Sequence, residues 1–133
     1  MEIIINLKKK KMDSDYEGAI KEYVKRLTPF CRVIVKTVKL FKSPAPKKDT
    51  KLFKVCPIID TISSVDFCRL IQTCNLNGYS RIIFYINPRP EELPECDILS
   101  VSSFDMSTEL TSVVLCEQIY RAYTIMNNIT YHK

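Results

Sequence analysis

Apolar positions along this chain alternate between short unbroken runs and three-to-four-residue steps. Glu2–Leu7 is a short isoleucine-rich run and predicts a buried strand. After the basic stretch Lys8–Lys11, Tyr16, Ala19, Ile20, Tyr23, Val24 and Leu27 recur at helical spacing and form one apolar face. Ser14-Asp15-Tyr16-Glu17 has the form of a capping box that opens this helix, and Pro29 stops it. Cys31–Val38 is β-branched and predicts a second strand. Lys42 to Lys51 is a polar loop with two prolines, and Lys54–Asp60 a third strand, placed at an edge or a bulge by Pro57. Ser63-Ser64-Val65-Asp66 opens a second helix that carries Phe67, Leu70, Ile71 and Cys74 and ends near Asn77-Gly78. Arg81–Asn87 is a strongly apolar run and predicts a central strand; Ile98–Val101 predicts a short last one. Asp105 or Ser107 can cap a final helix over about residues 108–127.

Strands alternating with helices predict an α/β fold, a mainly parallel doubly wound sheet with helices on both faces. The 133 residues fit one domain, 1–133, and show no internal repeat. With 46% hydrophobic and 26% charged residues, the composition is that of an ordinary globular protein. No apolar run approaches the roughly 18–20 residues that span a bilayer, so no membrane partner is expected. The chain opens with an apolar segment ahead of the lysines, the reverse of a secretory signal, which predicts a cytoplasmic location.

Charge changes the picture more than composition does. Residues 1–54 carry 15 Lys/Arg against 6 Asp/Glu (+9), and residues 55–133 carry 5 against 9 (−4), which together give the net +5. A basic half suits a polyanion such as RNA; a solvated lysine-rich face explains the same counts. The six cysteines form no C-x-x-C pair and the single histidine is His132, so no metal site is expected. Buried reduced thiols account for these cysteines, with a disulfide framework as the alternative.

Gly18 and Gly78 are the only glycines, which excludes glycine-rich phosphate loops and dinucleotide fingerprints. There is no G-x-S-x-G elbow either. The end of the chain is more informative. It reads Glu117-Gln118-Ile119-Tyr120-Arg121-Ala122-Tyr123, then Tyr131-His132-Lys133. This ending closely resembles that of the ribosomal RNA large subunit methyltransferase H family. Met1–Leu7, Glu17–Leu27 and Leu99–Lys133 match that family best, and the order of elements matches over nearly the whole chain.

The resemblance implies a SPOUT-type domain with a C-terminal trefoil knot, acting as a homodimer. It implies methyl transfer from S-adenosylmethionine to N3 of a pseudouridine in large-subunit ribosomal RNA, with the ribosome as partner. It also implies that Ile59, Pro88, Ser102, Ser103, Phe104, Asp105, Met106 and Ser107 lie on the cofactor loops, and that Arg121, Tyr131 and His132 serve the substrate. Arg121 suits a phosphate or base contact, or else an ion pair with Glu117 four residues earlier. Tyr131 suits stacking on a base, or plain packing. His132 suits removal of the N3 proton, or is a frayed terminal residue.

The chain also departs from the family. Ile59-Asp60 stands for the family's leucine-aspartate pair, and its glycine-containing loop is cut to Thr61-Ile62. The family's Ile-Gly-Gly strand end is here Ile86-Asn87-Pro88, and Asp105, Thr108 and Ser112 stand for threonine, histidine and arginine. Glycine admits close backbone approach, whereas proline fixes φ and removes a donor, so weaker cofactor binding is expected. Two functions follow: an active methyltransferase, or an inactive relative that keeps fold, dimer and RNA or ribosome binding. In a dimer, the basic half of one protomer is expected to border the tail of the other, with Lys8–Lys11 facing RNA.

Overall fold

The computed structural model describes residues 1–42, 45 and 47–131. Among these the chain forms strands β1 (Glu2–Lys8), β2 (Arg32–Val38), β3 (Thr50–Val55), β4 (Arg81–Ile86) and β5 (Asp97–Leu99), and helices α1 (Ser14–Leu27), α2 (Ser64–Leu76) and α3 (Thr108–Met126). The strands make one all-parallel sheet in the order β2-β1-β4-β3-β5. The expected α/β architecture holds, and β4 is the central strand, buried on both faces along Ile82–Ile86.

The helices lie on one face, not two. Ile3, Ile5 and Leu7 of β1 and Ile82, Phe84 and Ile86 of β4 share a core with residues of all three helices, among them Ile20, Phe67, Ile71, Leu115 and Ile119. Phe84 lies between Phe53, stacked at 5.5 Å, and Phe67 at 6.3 Å. The opposite face carries a smaller cluster of Phe41, Ile83, Tyr85 and Leu93. Connection handedness explains this. The steps β1→β2 and β3→β4 cross the sheet in the same direction, so right-handed crossovers put α1 and α2 on the same side. The return steps β2→β3 and β4→β5 run the other way without a helix, and their loops bring Phe41 and Leu93 onto the second face.

Three boundaries differ from expectation. β3 ends at Val55 rather than running through residue 60. Pro57 has no N–H to pair, and the pattern that pairs is Lys51-Leu52-Phe53-Lys54-Val55. β5 is Asp97–Leu99, starting one residue earlier and ending two residues earlier than expected. The N-cap of α1 is Asp13, not Ser14, and its side chain makes no cap bond. Glu17 pairs with Lys21 at 3.0 Å instead of reaching back. The carboxylate that accepts the Asp13 N–H is Glu109 of α3, at 3.0 Å, so a distant residue fills the role of the local box. The second and third caps are as expected: Ser63 accepts from the Asp66 N–H, and Ser107 from the Leu110 N–H.

Candidate active site

In a parallel sheet every strand's C-terminal end lies at one edge, where ligands of open α/β sheets bind. Here that edge gathers the loops after β3, β4 and β5. Val55, Cys56 and Pro57, then Asn87, then Val101, Ser102, Phe104 and Met106 line one narrow cleft, closed by Thr111 of α3.

Ser100 ties these loops together. It is buried at 2% exposure, its hydroxyl donates to the Ser102 carbonyl at 2.9 Å, and the same oxygen accepts the Ile58 N–H at 3.2 Å. Backbone bonds from Cys56 to the Leu99 carbonyl and from Ile62 to the Ser100 carbonyl, both 3.0 Å, complete the clamp. Asn87 takes φ +47°, the left-handed region that glycine normally supplies. Its N–H donates to the Val55 carbonyl at 2.8 Å, which joins the ends of β3 and β4. An asparagine therefore restores the turn that the missing glycine would have made.

The residues expected on the cofactor loops divide into two groups. Ser102, Phe104 and Met106 line the cleft. Ser102 also accepts the Phe104 N–H at 3.0 Å. Ser103 and Asp105 are exposed and do not line it, and Ile59 stands 91% exposed beyond its rim. Pro88 follows Asn87 outside the lining, and Ser107 is engaged as the α3 cap. Ser112, at the place of the family's arginine, is fully buried and donates to the Thr108 carbonyl at 2.8 Å. Val55, Cys56, Asn87 and Thr111 line the cleft without having been singled out; only Asn87, an αL-tolerant residue where glycine was expected, carried a legible signal. Burial pushes the Cys56 thiol up, which favours its protonated form.

Two lysines of the basic stretch are committed at this edge. Lys8 holds both oxygens of Glu92, in the β4–β5 loop, at 2.8 and 2.9 Å. Lys9 pairs with the buried Glu109 at the start of α3. These lysines brace the loops, so reversing their charge would disturb the fold as well as any RNA contact.

The substrate-end candidates lie elsewhere. Arg121 donates from Nε and Nη2 to Glu117 at 3.0 and 2.6 Å. Tyr131 folds back along α3, packs edge-on against Tyr120 at 4.9 Å, and donates to the same Glu117 oxygen at 3.2 Å. The Arg121 guanidinium sits 5.5 Å from the Tyr131 ring centre. The Glu117 hydrogen bond raises the Arg121 pKa, and burial raises that of Tyr131, so the first stays charged and the second neutral. Arg121 is ten residues beyond Thr111 on α3, roughly 15 Å from the cleft along the helix axis. A single chain does not bring Arg121 to the cleft. His132 lies outside the described residues.

Residues 47–132 match the family model described as "Predicted SPOUT methyltransferase". The chain belongs to the SPOUT methyltransferase family. Its SPOUT relatives include ribosomal RNA large subunit methyltransferase H 1 of Thermoanaerobacter sp. (strain X514), 35% identical over 125 residues, 92% of each chain. Ribosomal RNA large subunit methyltransferase H of Limosilactobacillus reuteri (strain DSM 20016) is 30% identical over 144 residues, 89% of this chain and 91% of that one. A putative methyltransferase H of Methanospirillum hungatei JF-1 is 25% identical over 148 residues, 91% and 92% of the two chains. Covering 89% of 133 residues (about 118) with 144 aligned positions leaves about 26 gapped positions in this chain. The Thermoanaerobacter alignment needs few gaps, so a short SPOUT chain is not peculiar to this protein.

Proposed function

We propose that this protein methylates N3 of a pseudouridine in large-subunit ribosomal RNA, with S-adenosylmethionine as donor. The observation that carries this reading is the match over 92% of both chains to a ribosomal RNA large subunit methyltransferase H. The cleft lies where such a donor belongs, beyond the C-terminal ends of β3, β4 and β5. Its lining suits an adenosyl group in kind: apolar walls from Val55, Val101, Phe104 and Met106, with Ser102 and Asn87 as polar groups. It does not suit it in width. The free volume is about 10 Å³, room for one water, whereas small-molecule sites run to roughly 300–1,000 Å³. Binding therefore requires the β4–β5 and β5–α3 loops to part.

The cofactor supplies an electrophilic methyl group. The protein's own residues must hold the base in line and accept the N3 proton. His132 is the proposed acceptor, Arg121 the contact to phosphate or base, and Tyr131 the stacking platform. Since Arg121 lies roughly 15 Å along α3 from the cleft of its own chain, the working site is composite: the cleft of one protomer faces the tail of a second copy. The trefoil threading of the C-terminal segment and a cytoplasmic location beside ribosomes belong to the same proposal.

The narrow cleft favours one further reading, an inactive relative that keeps fold and RNA binding. Incubation with methyl-labelled S-adenosylmethionine and large ribosomal subunits, followed by nucleoside analysis, separates the two. Label in 3-methylpseudouridine supports the enzyme; no label in any ribosomal RNA leaves the inactive reading.

A further inference from the structure

The helix-free face of the sheet carries a basic groove that the methyl-transfer site does not use. The register places Asn6 of β1 beside Lys36 of β2 and Tyr85 of β4. With Phe41, Lys39 and Lys42 of the β2–β3 loop, these residues line a groove of about 510 Å³. Its floor is aromatic: Tyr85 and Phe41 meet edge to face at 5.5 Å. Its rim is cationic. Lys36, Lys39 and Lys42 are exposed, no carboxylate is among the lining residues, and none of the three has an ion-pair partner among the described residues. The Asn6 side chain, on the floor, likewise makes no hydrogen bond among the described residues.

The other large groove, between α1 and β2, differs in this respect. It holds Lys10, Lys11 and Lys21 but also a carboxylate, Glu17, which pairs with Lys21 at 3.0 Å. Lys8, near the open-face groove, is likewise neutralised by Glu92. Lys36, Lys39 and Lys42 thus stand uncompensated around a concave site that holds no carboxylate, with apolar and amide groups beneath. Three exposed cations over an aromatic and amide floor complement a phosphodiester strand, with phosphates at the rim and sugars or base edges below.

Position strengthens the match. Asn6, Lys36 and Tyr85 lie near the C-terminal ends of their strands, the edge that also carries the cofactor-loop cleft. β2 is three strands from β3 in the sheet, about 15 Å at ordinary strand spacing. A strand of RNA seated in the groove would run within a few nucleotides of the cleft.

We infer that this groove, through Lys36, Lys39 and Lys42, grips the single-stranded RNA backbone flanking the target nucleotide. The inference rests on the RNA-methyltransferase reading and adds to it the surface that orients the substrate.

The test compares the triple variant Lys36→Ala/Lys39→Ala/Lys42→Ala with a charge-matched control, Lys21→Ala/Lys25→Ala/Lys48→Ala. Binding to a labelled single-stranded oligoribonucleotide and to purified large ribosomal subunits is measured across salt concentrations, with thermal melts to verify folding. The groove variant is expected to bind at least about tenfold more weakly at low salt. Its slope of log affinity against log salt should fall by about 2, or three phosphate contacts at about 0.7 each. The control should keep the parent slope. Equal losses in both variants would mean diffuse attraction and overturn the groove. Loss on subunits with unchanged binding to naked RNA would point to an acidic protein partner and overturn it too. If the unmodified protein binds neither probe, the underlying RNA reading fails and the groove assignment with it; binding that the groove variant retains in full removes only the groove.

Discussion

Arg121 and Glu117, one turn apart on α3, are joined by two hydrogen bonds to a single carboxylate oxygen, at 3.0 and 2.6 Å, and Tyr131 donates to the same oxygen. Glu117 therefore fixes both proposed substrate-contacting side chains. It is a positioning residue rather than one that touches substrate. Glu117→Ala should lower kcat/KM for ribosomal subunits by about 10- to 100-fold, the effect of losing a charge-assisted hydrogen bond of roughly 1.5–3 kcal/mol. Cofactor affinity should not change. Glu117→Gln, which keeps an acceptor, should fall between. Equal kinetics for the parent and Glu117→Ala would remove this role.

Ser100 presents a stability test. Ser100→Ala leaves the Ile58 N–H and the Ser102 carbonyl without their partner in a buried setting. The expected cost is about 1–3 kcal/mol, read from the urea midpoint at constant m. The same variant should weaken cofactor binding, because the two loops that Ser100 joins bound the cleft.

Asn87 tests the substitute turn. Its φ of +47° costs an ordinary L-residue roughly 1–2 kcal/mol. Asn87→Ala should therefore destabilise by about 1 kcal/mol, while Asn87→Gly should change stability by only a few tenths. Urea titrations of the three proteins give the comparison; equal losses for Ala and Gly would show that the side chain, not the backbone angle, matters.

Acid should loosen the β4–β5 loop. The Lys8 ammonium, with help from the Arg89 N–H, holds the Glu92 carboxyl at about 2, against an ordinary 4.5. A depressed carboxyl stabilises the fold fully above its unfolded pKa, and that contribution disappears as pH falls through the folded one. The loss belongs to the window from about pH 4.5 down to 2. Glu92→Gln should flatten the pH dependence of stability in that window and leave the slope above pH 6 unchanged. The effect is modest because Lys8 is about one-third exposed.

Local signals were legible in the sequence, and long-range ones were not. The apolar run of β4 and the Ser63 and Ser107 caps could be read directly, since each depends on neighbours a few residues away. The α1 cap could not, because Glu109, ninety-six residues from Asp13, supplies the missing carboxylate. The single-sided helices follow from strand order, which periodicity does not encode. Of the residues expected on cofactor loops, Ser102, Phe104 and Met106 line the cleft, while Val55 and Thr111 reach it only through tertiary packing. The separation of Arg121 from the cleft is likewise a property of the fold: it is set by the length of α3, which the local motifs do not encode.

Calorimetric titration with S-adenosylmethionine or its demethylated product tests the methyltransferase reading at its root. Micromolar binding, one ligand per protomer, is the predicted result and would mean that the Asn87-Pro88 loop opens to admit the donor. No heat at millimolar ligand would contradict it, leaving a SPOUT fold without a methyl donor.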